Sequence, residues 1–162
     1  MRKVGLYLCL VTGLLVSNSC SKKADVVKPV YPISAYIGNY QWFVNSVSCT
    51  LTLDTSHGDR IVDITATSNG KTLTMEFYDY SGGNAIGGGT HTIPADAYFN
   101  YFAGTGSSFK TVSGSVTITA NNPSSQSLSA AFDYVVQDNN SGAYTHISNG
   151  MLNNVEYSVI YK

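Results

Sequence analysis

From Asn39 to the C-terminus, apolar and polar side chains alternate with a period of two, in short runs separated by turn residues. Successive side chains of a strand point to opposite faces, so this pattern predicts half-buried antiparallel strands. Val62, Ile64 and Ala66 alternate with Asp63 and Thr65. Asn69-Gly70 then supplies the backbone angles of a two-residue hairpin turn, and Leu73, Met75 and Phe77 share a face on the returning strand. Val116 and Ile118 alternate with threonines, residues 121–126 form a loop, and Leu128, Ala130, Phe132, Tyr134 and Val136 line one side of the next strand. Further strands are predicted over 40–44, 49–53, 90–93, 98–102, 144–148 and 155–161, with a turn over 138–142 and a tight turn or bulge at Asn149-Gly150. No helical period is sustained. The expectation is an all-β domain, an antiparallel meander of about nine or ten strands in which sequence neighbours pair.

The N-terminus follows a different pattern. Arg2 and Lys3 precede an apolar stretch from Val4 to Val16, and Ser17-Asn18-Ser19 leads to Cys20. As a helix the stretch spans roughly 20 Å, short of the ~30 Å hydrocarbon core, so it reads as an export signal and not as a permanent span. The predicted organisation is a signal over 1–19, a tether over 20–35 with two prolines and no strand pattern, and a single β domain over 36–162.

Charge sharpens this division. Only 12% of the chain is charged and the formal net charge is −1, against a usual quarter of residues charged. The segment from Tyr31 onward holds four basic residues against nine acids, a balance of −5, whereas the tether carries Lys22, Lys23 and Lys28. An acidic domain with no cationic stripe argues against a nucleic-acid partner. The basic tether suits a position near anionic headgroups or in solvent.

Cys20 directly after a small residue resembles the lipobox of bacterial lipoproteins, departing from the common pattern at Ser17. The resemblance implies that the Cys20 thiol carries diacylglycerol and that the acylated cysteine begins the mature chain. Ser17-Asn18-Ser19 also fits ordinary secretory cleavage, and an unmodified Cys20 could then bridge to Cys49. Ser21 is not the acidic residue that can retain lipoproteins at the inner membrane, so the outer membrane is the expected address.

The runs from Ser113 to Thr119, Ser127 to Tyr134 and His146 to Val155 resemble, in order and spacing, the C-terminal half of a family of small Bacteroidetes envelope lipoproteins, with Ala130 in place of the usual Gly and Met151-Leu152 in place of an apolar-aromatic step. The resemblance implies a β-sandwich or barrel at the cell envelope and brings no activity with it. Gly38-x-Tyr40-x-Trp42 is similar to the opening strand of lipocalin-like barrels, so a β-sandwich and a lipocalin-like barrel are both open.

Candidate chemistry is sparse. His57, His91 and His146 lack the spacing of a zinc site, and residues 54–59 lack the closing Glu of a calcium loop, so no metal or cofactor is expected. The glycines at 82–83, 87–89 and 104–106 are followed by no helix and no Lys-Ser/Thr pair, which argues against a phosphate cradle, and no Gly-x-Ser-x-Gly elbow is present. The remaining feature is aromatic: Tyr40, Trp42, Tyr78, Tyr80, Tyr98 and Tyr101 are the candidate binding residues, since Tyr or Trp beside Asn and Asp stacks on and hydrogen-bonds glycans. Sheets also favour tyrosine for packing alone. Three classes follow: a non-catalytic envelope lipoprotein that binds a ligand, glycan or protein partner; a lipocalin-like carrier of a small apolar ligand; and an envelope hydrolase with an unrecognised site.

Overall fold

The computed structural model describes residues 30–83, 85–93, 97–104 and 109–162. The expected signal peptide, Cys20, most of the tether and Gly106 lie outside the described residues.

Among the described residues, eleven strands form two sheets: β1 (Ile33–Ile37), β2 (Tyr40–Val44), β3 (Val47–Asp54), β4 (Asp59–Ser68), β5 (Lys71–Tyr78), β6 (Gly89–Thr92), β7 (Ala97–Phe102), β8 (Phe109–Asn122), β9 (Ser127–Asp138), β10 (Tyr144–Glu156) and β11 (Ser158–Tyr161). A six-stranded sheet runs β2-β1-β10-β9-β8-β6, and a five-stranded sheet runs β11-β3-β4-β5-β7. Both are open, and they pack face to face as a β-sandwich, so the lipocalin-like barrel is not the fold. A meander is not the connectivity either. The first strand pairs with β10, and β11 pairs with β3 in parallel.

The alternation drives this arrangement. Val62, Ile64 and Ala66 on β4, Leu73, Met75 and Phe77 on β5, and Leu128, Ala130, Phe132, Tyr134 and Val136 on β9 are all buried between the sheets. The β4–β5 hairpin turns on Asn69 (φ 52°) and Gly70 (φ 70°), the paired positive angles that match the twist of the flanking strands. Trp42 fills one end of the core, its Nε1 donating to the Ser68 carbonyl 3.3 Å away across the sandwich.

Two boundaries differ from the sequence expectation. The strand β1 begins at Ile33, inside the predicted tether, with Ile33 and Ala35 buried and the Asn153 side chain and backbone amide donating to the Tyr31 and Pro32 carbonyls. At the other end, Asn149-Gly150 is a bulge inside one long strand. Asn149 has φ 49° and the β9–β10 register shifts between Ile147 and Gly150. The expected closing strand over 155–161 is broken at buried Tyr157, where the chain leaves the six-stranded sheet to become the edge of the other.

Two glycines are demanded by close approach. A Cβ on Gly150 would lie 2.1 Å from the Phe132 ring, and one on Gly114, at φ 148°, would lie 2.2 Å from the Tyr134 Cβ.

Candidate functional site

Because Val62, Leu73 and their alternates point inward, the intervening residues of β4, β5 and β7 point outward from the five-stranded sheet. The register sets them in rows. Thr50, Asp63, Glu76 and Tyr98 lie side by side across β3, β4, β5 and β7, and Ser48, Thr65, Thr74 and Asn100 form the adjacent row. Tyr78 stands opposite Ile61 in the row beyond. The face is therefore built of hydroxyls, an amide, two carboxyls and tyrosines. A groove of about 620 Å³ opens over it, lined by Asp63, Glu76, Tyr98 and Asn100 on the floor and by Lys110 and Thr111 of β8 at one side.

Asp63 and Glu76 stand directly opposite one another on β4 and β5. Partial burial, then the neighbouring Asp63 charge, raise the Glu76 pKa above its ordinary value.

Of the six candidate aromatics, the fold brings two to this face. Tyr98 is 54% exposed in the groove and Tyr78 is half-buried on β5, next to the edge strand β7. Tyr40 is exposed at the β1–β2 turn, with the Lys71 ammonium 4.4 Å from its ring centroid, and Tyr80 projects from the loop after β5. Trp42 and Tyr101 cannot reach a ligand on the surface: they are only 1% and 3% exposed, Trp42 closing the core and Tyr101 packed on Phe109. Parity could have separated Tyr98 from Tyr101, since residues three apart on a strand face opposite ways. Asp63 and Glu76 carried no local signal, as their juxtaposition comes from hairpin register.

The glycine loop after β5 is held from within. Buried Asp79 accepts from Arg60 Nη2 at 2.8 Å, from the Ser81 amide at 3.0 Å and from the Gly87 amide at 3.3 Å. Arg60 also donates to the carbonyls of Gly83 and Ala85. A carboxylate of the chain itself thus takes up these loop amides. Burial raises the Asp79 pKa, but the hydrogen bonds from Arg60 and Ser81 and the Arg60 charge outweigh it and hold the carboxyl below its ordinary value.

Among the described residues, His57 and His146 assemble no catalytic relay. His57 Nδ1 meets both Asp54 Oδ2 (3.0 Å) and Ser56 Oγ (2.9 Å) within one exposed turn. A nucleophile triad instead needs the acid and the serine on different ring nitrogens. His146 pairs with Asp133 at 2.6 Å on the outer face of the other sheet, and His91 packs its ring on Phe77 in the core. Among the described residues, no group of three or more His, Cys, Asp or Glu side chains is placed to hold a metal ion.

Comparison with protein-family models, curated proteins and solved structures finds no match to this chain.

Proposed function

We propose that the chain is a non-catalytic lipoprotein of the cell envelope, anchored in the outer membrane through Cys20, whose ligand is a carbohydrate held on the outer face of the five-stranded sheet. The observation that carries the reading is the groove: exposed Tyr98 beside Glu76, Asp63 and Asn100, with threonine hydroxyls in adjoining rows. A sugar presents an apolar C–H face to an aromatic ring and a rim of hydroxyls to carboxyls and amides, and this floor supplies both. The carrier reading has less support, because Trp42, Phe77, Phe99 and Tyr134 fill the space between the sheets. The hydrolase reading has less support, because His57 meets Asp54 and Ser56 through the same ring nitrogen.

The test is a panel of soluble polysaccharides titrated calorimetrically against the full acylated chain in detergent. Binding to at least one of them is expected, weakened about tenfold or more by Tyr98→Ala, the loss of one stacking ring. Tyr80→Ala, off the groove, should leave it unchanged. A blank panel, or a Tyr98→Ala variant that binds as well as the parent, sinks the carbohydrate assignment.

A further inference from the structure

The outer face of the six-stranded sheet has its own exposed apolar patch, placed where the tether joins the domain. Tyr31 stacks on Phe43 with ring centroids 4.5 Å apart. Register puts Phe43 beside Ser34 and Ser34 beside Met151, with Tyr36 in the next row. Tyr36, Phe43 and Met151 all remain exposed, and Val30, the first described residue, is more exposed still. A patch of tyrosine, phenylalanine and methionine is the side-chain set that partitions into the headgroup and upper acyl region of a bilayer.

We propose that this face rests on the lipid bilayer, so that the domain is held by its body as well as by its anchor. The inference depends on the acylation of Cys20 advanced above. Cys20 and Val30 are ten positions apart, a reach of about 35 Å at full extension, so the patch is the part of the domain kept nearest the anchored surface. Asn153 fixes the start of the domain on this side of the sandwich by binding the Tyr31 and Pro32 carbonyls. The acidic domain gains nothing from anionic headgroups, whereas Lys22, Lys23 and Lys28 of the intervening segment supply that attraction. With this face down, the groove on the opposite sheet points away from the membrane, toward a soluble or polymeric ligand.

Spin labels test the orientation in the full acylated chain, reconstituted in vesicles of phosphatidylethanolamine and phosphatidylglycerol. Single variants Phe43→Cys, Met151→Cys and Tyr98→Cys are labelled. Cys49 stays silent, being buried with its thiol pushed up to about 12 by desolvation and the Asp63 charge. Labels at 43 and 151 should meet oxygen several-fold more often, relative to a water-soluble nickel chelate, than the label at 98. Water-like values at all three positions, on protein that floats with the vesicles and carries fatty acid, overturn the docking while leaving the anchor intact. Protein without fatty acid that does not float overturns the anchor and the docking together. Labels at 43 and 151 shielded from both reagents, equally in detergent, indicate a protein neighbour or a second copy and overturn the lipid assignment.

Discussion

Tyr134 brings a polar group into the core. Its ring lies 4.7 Å from that of Phe99, centroid to centroid, and its hydroxyl is buried without a hydrogen-bond partner. Burial, reinforced by Tyr101, pushes its pKa well above the usual phenol value. An unsatisfied buried hydroxyl costs about 1–3 kcal/mol that an isosteric apolar group does not. Tyr134→Phe should therefore shift the chemical denaturation midpoint upward, by about 1 kcal/mol of stability, with an unchanged slope. A midpoint that falls instead would mean that the hydroxyl has a role in the fold. Alternation places Tyr134 on the inward face of its strand. Whether an inward tyrosine finds an acceptor depends on what the opposite sheet presents, and no spacing within one strand carries that information. The same holds for Cys49, readable as apolar in pattern but not as an inert thiol.

At the scale of elements, the legible strands are those with long alternation and explicit turn residues, such as β4, β5, β8 and β9. The strand β1 was hidden, and so was the separateness of β11. A five-residue β1 between Pro32 and Gly38 offers too few alternating positions to be told from an extended tether, and the break at Tyr157 lies inside an unbroken alternating run. Two predictions belong here. In β8, Gly114→Ala would drive a methyl onto the Tyr134 Cβ and to 2.6 Å from the Asp133 carbonyl oxygen, both parts of the rigid neighbouring strand. Overpacking of this kind should cost roughly 1–3 kcal/mol, read from the thermal and urea transitions of the variant; parent-like transitions would show that β9 can yield. In the loop after β5, Asp79→Asn removes the counter-charge of nearly buried Arg60, at a cost of about 3 kcal/mol. The sign in pH follows from the lowered native pKa of Asp79. Its stabilisation is complete above the unfolded carboxyl pKa, near 4, and is lost as the pH falls through the lower native value. Urea midpoints measured from pH 7 to pH 2 should decline less for Asp79→Asn than for the parent; parallel declines would remove Asp79 as a source of acid lability.

For the whole molecule, the sandwich separates two kinds of outer surface, a polar groove on one sheet and an aromatic patch on the other. The division was only half visible in the sequence, where the tyrosines form one undifferentiated surplus until register assigns each to a side. Cys20→Ala should move the protein from the membrane fraction to the soluble fraction, as followed by fractionation and fatty-acid labelling. Continued membrane association of an unacylated chain would remove the anchor from the reading. The non-sequential pairing also dictates a schedule. The strand β1, near the start of the domain, finds its partner only in β10, and β3 acquires β11 only after residue 157. A chain threaded outward from its N-terminus would thus have all of residues 33–143 across the membrane before either sheet could complete its pairing. Closing such distant contacts is slow. Were the chain exported in this way, the edge of β3 that β11 covers would stay unpaired until the last residues arrived, an open edge for that interval.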